Sequence, residues 1–483
     1  MNTLRKSLLL TFFSTNGATA VQFAVTVVLA RLLSPEDIGV FSITAVMVSI
    51  AHLFRDFGVG AYLQQEKELT PEKVSAAFGM LLTSSWLIAL AVFALSWPAS
   101  AFYGQEGIQD VMQVMAIGFA VIPFGAVTHS ILTREYKATE QAYVRIVGTA
   151  AYAISAISLA HAGFGYMSMA WASLINIIAT ALGYLPFKPE VMTWRPRFRG
   201  WRKVMHFGAG ATLSNSLEAV HTAMPDMMLG KLSGPHDVGL LSRGLGTTNL
   251  LNQVIGPTLS YAVLPYLAKA HHSGQALDQH LEKARAYATG IMWPALACTG
   301  FYAQPLIAFL YGEKWLPATP IVQWGCLMLL LSTPFSFNGA AYMAIGRPLL
   351  AVLPTLASLI LRGALILWLY DGTLESFAAG LCMAAVAGYP IHAWLQHRIL
   401  GVSARAFLRS QYKSFWVCVA CGCVGAALAH LSKPWAAGWQ LLLAGLIIPV
   451  WWLICLRMLR HPLLAEVQPL VVRFPRLAGW LQA

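Results

Sequence analysis

The sequence predicts an all-α integral membrane protein. About fourteen transmembrane helices are expected, as two parallel-repeat six-helix lobes (spans 1–6 and 7–12) around a central cavity, plus two extra C-terminal helices. Three observations predict this. Apolar runs of membrane-spanning length recur along the whole chain, positive charge sorts to alternate loops, and one motif returns after 200 residues.

Of the 483 residues, 57% are hydrophobic and only 11% are charged, with a mean hydropathy of +0.62. Soluble domains carry about 25% charged residues. A helix crosses the hydrocarbon with about 20 apolar residues. Such runs fall at about 10–33, 39–60, 75–101, 108–132, 142–161 and 164–187 in the first half. They continue at about 204–230, 238–266, 286–311, 318–345, 348–370 and 374–396, and then at about 412–431 and 436–458. The loops left between them are too short for a soluble domain. That weighs against a membrane polymerase or glycosyltransferase, which needs a sizeable extramembrane catalytic loop.

With the N-terminus placed in the cytoplasm, the cytoplasmic side collects 25 of the 32 Lys and Arg residues. The outer side receives Arg31, Lys231, Lys314 and Lys433, and Arg55, Arg243 and Arg362 lie inside spans. The outer loops are acidic, with Glu36, Asp37, Glu106, Asp110 and Asp237 among them. This is the positive-inside pattern, and it predicts both termini in the cytoplasm. It also accounts for the net charge of +12 by topology, so no nucleic-acid partner is expected.

LARLLSPEDIGVFS (Leu29–Ser42) returns as LGKLSGPHDVGLLS (Leu229–Ser242). The two share Leu29/Leu229, Leu32/Leu232, Pro35/Pro235, Asp37/Asp237, Gly39/Gly239 and Ser42/Ser242. Tyr103-Gly104 and Tyr311-Gly312 extend the echo after spans 3 and 9. Six crossings preserve orientation, so the copies are parallel, related by an axis along the membrane normal. The expected organisation is an N-lobe at 1–187, a basic cytoplasmic linker at 188–203 and a C-lobe at 204–398. Spans 13–14 follow within 399–461, and an interfacial cytoplasmic tail occupies 462–483.

Local signals refine this order. Arg5-Lys6, an apolar run and Ala18-Thr19-Ala20 imitate a secretory signal, but the run continues to Leu33 and reads as an uncleaved first helix. Gly58-x-Gly60 loosens the end of span 2, and Pro225 and Gly256-Pro257 are expected to interrupt spans 7 and 8. The seven cysteines lie in or beside apolar spans. The trio Cys418, Cys421 and Cys423 reads as helix-contact residues and not as a metal site.

Polar side chains inside hydrocarbon need a partner or a water-filled cavity. Span 7 carries Asn215, Glu218, Thr222 and Asp226 along one face, and span 1 carries Thr15, Thr19, Gln22 and Thr26 likewise. For the threonines, hydrogen bonding between helices is the favoured reading. Ionised carboxylates are poor glue, so Glu218 and Asp226 are assigned to the cavity. His221 lies one turn from Glu218; it suits a proton relay or an ordinary hydrogen bond in the bundle. His52, His129 and His392 also fall in spans. Arg55, Arg243 and Arg362 form a cationic set suited to a polyanion, because guanidinium groups match phosphate geometry. Arg55 has a local alternative in Asp56, and Arg243 has one in snorkelling outward. No G-x-x-x-x-G-K-[ST] loop is present, so ATP is not a fuel. No catalytic residues, metal or cofactor are expected, beyond a coupling H⁺ or Na⁺.

LARLLSPEDIGVFS, RDFGVGAYLQQ (Arg55–Gln65) and GEKWLPATPIVQW (Gly312–Trp324) resemble the Wzx-like polysaccharide/O-antigen flippases. These are the polysaccharide transporter family of the multidrug/oligosaccharidyl-lipid/polysaccharide exporter superfamily. The resemblance implies translocation of an undecaprenyl-diphosphate-linked oligosaccharide across a bacterial inner membrane by alternating lobes. It also implies polysaccharide polymerase or export machinery as partner. Lipid II flippases of the superfamily carry cavity arginines on their first, second and eighth helices. Arg55 and Arg243 fall on matching helices, whereas Arg31 stands at the loop end of the first. On this reading Arg55, Arg243 and Arg362 hold the diphosphate, while Glu218 and Asp226 handle the coupling ion. The competing readings are a cation-coupled multidrug antiporter of the same superfamily and a membrane oligosaccharide polymerase or ligase.

Overall fold

In a bilayer core no water is available to pair backbone N–H and C=O groups, so an apolar chain satisfies them within itself as helix. Each of the fourteen apolar runs is a helix or a broken helix in the computed structural model. The model describes the backbone of residues 2–56, 58–198 and 201–466, and the side chains of 14–55, 58–198, 216–253, 256, 263–347 and 349–466. The first helices are α1 (Asn2–Leu32), α2 (Pro35–Asp56), α3 (Val59–Gln65), α4 (Pro71–Tyr103), α5 (Glu106–Val121), α6 (Pro123–Arg134), α7 (Ala138–His161) and α8 (Met167–Tyr184). Next come α9 (Trp201–Leu232), α10 (Pro235–His272), α11 (Leu277–Phe301), α12 (Ala303–Leu310), α13 (Thr319–Ser332) and α14 (Asn338–Ala344). The last are α15 (Val352–Leu369), α16 (Leu374–Ala387), α17 (Tyr389–Leu400), α18 (Ala404–Leu431) and α19 (Ala437–Met458). Among the described residues, nine helical segments are long and apolar enough to cross a membrane, or ten if the bent pair α5–α6 is one span.

The breaks do not all fall where Pro and Gly suggest. α9 runs unbroken through Pro225, and α10 runs helical from Pro235 to His272 across Gly256-Pro257. A proline removes one ladder donor, and a long helix tolerates that loss when its neighbours hold it. The interruptions lie elsewhere. Pro123 opens α6 at 53° to α5, a 3₁₀ turn at Thr333–Phe335 follows α13, and Gly388 separates α16 from α17. Gly58, with φ of 72°, stands between α2 and α3, as the Gly58-x-Gly60 signal predicts.

The contacts divide the chain into two units, Met1–Gly239 and one beginning at Leu240. In the first, α7 packs along α8 and α1, α4 along α5, and α9 along α2. A core of Val59, Tyr62, Leu63, Phe78, Leu81, Val127 and Ile131 joins α3, α4 and α6. Arg134, at the end of α6, donates to the Leu63 carbonyl (3.2 Å), the Lys67 carbonyl (3.2 Å) and the Glu66 carbonyl, and so caps α3. The basic linker is pinned to α4. The Arg197 amide donates to the Ser75 carbonyl at 3.0 Å, and a Cβ on Gly79 would stand 2.4 Å from the Arg197 carbonyl oxygen. Trp194 packs on Phe78 and Phe124.

In the second unit α11 is the hub, packed along α18 and against α13. Gly422 and Gly425 bring α18 close to Phe301 and Cys298. Cys298, Cys421 and Cys455 are buried in the same cluster, and the Cys298 thiol points at the Cys421 carbonyl (3.6 Å). These three are packing residues, whereas Cys423, expected at a helix contact, is exposed; no metal-binding group of His, Cys, Asp and Glu occurs among the described residues. After α19 the chain turns back on this hub. His461 is buried; its Nδ1 accepts the Leu463 amide (3.2 Å) and its Nε2 donates to Ser414 Oγ (3.0 Å). Burial, and then Lys413, pushes the ring down to about 4, which keeps it neutral at physiological pH. The expected interfacial tail lies outside the described residues beyond Glu466.

Candidate functional site

The repeated Pro-x-Asp-x-Gly motif has a direct structural use. Pro35 opens α2 and Pro235 opens α10, where a missing N–H costs nothing. Asp37 Oδ2 accepts the Ser34 amide (3.0 Å) and hydroxyl (2.6 Å), while the Asp37 amide donates back to Ser34 Oγ (3.1 Å), a reciprocal cap. Ser233 donates to Asp237 in the second copy. One turn in, the glycines meet across the first unit. A Cβ on Gly39 would stand 1.7 Å from the Pro235 carbonyl oxygen, and one on Gly239 would stand 1.9 Å from that of Pro35. The contact is reciprocal and backbone to backbone, which only glycine permits. Around it, the Lys231 ammonium donates to the Phe102 carbonyl (2.6 Å) and lies 4.5 Å over the Phe102 ring. Tyr103 reaches the Met227 carbonyl (3.4 Å).

The predicted polar stripes lie in the same unit. Gln22 on α1 and Glu218 on α9 are exposed, with Thr222 one turn on; Asp226 and His221 are half-buried. Thr222 Oγ1 donates to the Glu218 carbonyl one turn back in its own helix (2.9 Å), and Thr19 Oγ1 does the same to Thr15 (3.0 Å), so these two threonines bond within their helices and not between helices as expected. Asn215 lies outside the described residues. The positive-inside count puts Arg145 with the cytoplasmic side; α7 starts at Ala138 and carries it two turns in. Its guanidinium donates to Thr15 Oγ1 and adds a cation to the α1 stripe.

Of the three predicted arginines, Arg55 belongs to the first unit, and Arg243 and Arg362 to the second. All three are half-buried. Arg55 Nη1 is 3.2 Å from His52 Nδ1, and its carbonyl accepts Ser84 Oγ at 2.9 Å, which ties the end of α2 to α4. The alternative partner Asp56 lies outside the described side chains. The Arg243 carbonyl accepts Thr247 Oγ1 (2.8 Å), which also bonds the Tyr311 hydroxyl (3.0 Å).

The most buried cation among the described residues is a different one. Arg285 is 1% exposed. Its Nε donates to the Pro334 carbonyl (2.9 Å) and its guanidinium lies 4.5 Å over the Phe407 ring. Sequence reasoning placed it in a loop; the signal for burial was its flanking alanines, Ala284, Ala286 and Ala288, on a packed helix face. Each unit also holds a small cavity beside a broken span. One of about 380 Å³ in the first unit is lined by His129, Asn176, Thr180 and Tyr184, with His129 Nδ1 2.9 Å from the Tyr184 hydroxyl. One of about 310 Å³ in the second is lined by Asn252, Ser332, Ser336 and His392, with His392 stacked on Phe335 at 5.1 Å.

A family model described as polysaccharide biosynthesis protein matches residues 28–320. That is more than half of the chain, and it takes in both copies of the motif. The chain belongs to this family. Curated relatives include the succinoglycan biosynthesis transport protein ExoT of Rhizobium meliloti, 23% identical over 80% of this chain and 78% of the relative. The teichuronic acid biosynthesis protein TuaB of Bacillus subtilis is 21% identical over 86% of each chain. The lipopolysaccharide biosynthesis protein WzxC of Escherichia coli is 20% identical over 66% of this chain and 65% of the relative. The fold of this polysaccharide biosynthesis family member matches the lipid II flippase MurJ in its inward closed conformation. The TM-score is 0.75 at 15% identity, over 93% of this chain and 99% of that one. An inward-facing multidrug transporter of the MATE family gives 0.64 at 16% identity, over 80% and 95%. The expected all-helical fold stands among the described residues.

Proposed function

We propose that this chain is a flippase, not an enzyme. On this reading it carries an undecaprenyl-diphosphate-linked oligosaccharide from the cytoplasmic to the periplasmic leaflet of a bacterial inner membrane, for exopolysaccharide, O-antigen or capsule biosynthesis. The observation that carries the reading is the family match across both copies of the motif. The relatives' names place them in succinoglycan transport and in teichuronic acid and lipopolysaccharide biosynthesis, and MurJ supplies a like-folded lipid II flippase. The MATE likeness covers less of the chain and supports an antiporter less well.

The cargo joins a diphosphate and sugars to a long isoprenoid tail. The head needs a hydrated, cationic path, and the tail stays in lipid. Arg55, Arg243 and Arg362 serve the diphosphate. Arginine holds phosphate with a planar fork of donors, and charge inside a membrane costs about 2.5–3.5 kcal/mol unless it serves a cavity. By the same argument the exposed Glu218 and Gln22, with His221 and Asp226, face water, and the two carboxylates exchange H⁺ or Na⁺. Moving one charge through 100 mV supplies about 2.3 kcal/mol. Both termini are cytoplasmic in this reading, which puts the Gly39–Gly239 contact at the periplasmic end, as a gate that parts once per cycle. Polysaccharide polymerase or export machinery takes the product.

Two measurements test this. A deletion strain is expected to accumulate lipid-linked oligosaccharide on the cytoplasmic leaflet, accessible only to cytoplasmic probes; full periplasmic access would rule flipping out. Complementation with Glu218→Gln/Asp226→Asn is expected to lower export at least fivefold. Undiminished export would remove ion coupling from α9.

A further inference from the structure

We propose that the basic pocket between the N-terminal turns of α11 and α18 binds the phosphate headgroup of an anionic phospholipid of the surrounding bilayer. The pocket has a volume of about 660 Å³ and lies wholly in the second unit, apart from the residues assigned above to transport. Lys283, Arg409 and Lys413 line it against a single carboxylate, Glu282, with Gln279 and Tyr412 alongside. Burial, and then Asp278, pushes the Glu282 carboxyl up, against Arg285 and Arg409.

The walls are fixed. The Lys413 ammonium donates to the Arg460 carbonyl at 2.7 Å, and Lys283 lies 5.6 Å over the Tyr287 ring. Behind them Thr289 and His461 both bond Ser414 Oγ, at 2.8 and 3.0 Å. The Tyr287 hydroxyl meets Glu466 Oε1 at 3.1 Å, so the returning chain closes the pocket on one side.

What identifies the occupant is the surface that continues from it. Leu408, Tyr412, Phe415 and Trp416 are 68%, 64%, 51% and 44% exposed. Their spacing puts them on one face of α18, running from the pocket into the apolar span. An occupant using both surfaces has one anionic end and an apolar body. Basic pockets between transmembrane helices hold anionic headgroups in this way. A soluble phosphate would leave the apolar face uncovered. The location in the inner leaflet rests on the orientation proposed above; the site itself does not.

The experiment reconstitutes the full chain in nanodiscs of phosphatidylcholine with phosphatidylglycerol and counts retained phosphatidylglycerol by native mass spectrometry after transfer to mild detergent. Wild type is expected to retain at least fivefold more than Lys283→Gln/Arg409→Gln/Lys413→Gln. Charge-preserving Lys283→Arg/Lys413→Arg and a control stripped of three other exposed cations, Lys67→Gln/Arg398→Gln/Arg405→Gln, are expected to match wild type. Should the triple variant not fold, Arg409→Gln alone is expected to retain about half. Equal retention by the pocket variant and wild type would overturn the site. Displacement of the lipid by 10 mM inorganic phosphate or by polyglutamate would overturn its lipid identity in favour of a soluble anion or an acidic peptide.

Discussion

Valine at Gly39 or at Gly239 is expected to abolish most polysaccharide export, by tenfold or more, while the protein still accumulates in the membrane. A Cβ at these positions would lie 1.7 and 1.9 Å from the opposing proline carbonyl oxygens. The atoms it meets are backbone, so no side chain can rotate away. The first turns of α2 and α10 must separate, and the closed arrangement of this end is lost. Overpacking of this kind costs about 1–3 kcal/mol, and each 1.4 kcal/mol is tenfold in an equilibrium. The two variants are expected to behave alike, because the contact is reciprocal. The check is cell-surface polysaccharide in a complemented deletion strain, normalised to protein by immunoblot. Wild-type export from both valine variants would exclude this contact as a gate.

Arg55→Ala is expected to lower export at least tenfold at unchanged protein level, and Arg55→Lys to recover part of it. Lysine keeps the charge but loses the two-pronged geometry that suits a diphosphate. The alanine variant should insert normally, since Arg55 is half-buried and its tie to α4 runs through its own carbonyl, held by Ser84. The backbone bond therefore survives the substitution. Full-rate export by Arg55→Ala would remove Arg55 from the diphosphate site.

Much of this molecule was legible in its sequence because the bilayer imposes few choices. Apolar runs become helices, and the motif shared by Leu29–Ser42 and Leu229–Ser242 marks two equivalent helix starts. What was not legible depends on tertiary neighbours. Pro225 predicts a break, yet α9 passes through it; Pro123 starts a 53° bend instead. The depth of Arg285 was hidden because α11 begins at Leu277, earlier than hydropathy alone suggests, and because Phe407, its ring partner, is more than 100 residues away. The linker's charge reads as a solvated connector, whereas its backbone is bonded to α4 at Ser75. The stripes on α1 and α9 were visible from period alone. Arg145, which joins the first of them, lies inside the run at about 142–161, but its charge was counted with the cytoplasmic side, and its partner Thr15 is 130 residues away.

The reciprocal glycine pair also constrains how the two copies of the motif can change. Each glycine shelters beneath a main-chain atom contributed by the other copy, so neither position can acquire a methyl group on its own. A chain that fills one of them must also re-route the facing segment, so changes at the two positions come paired.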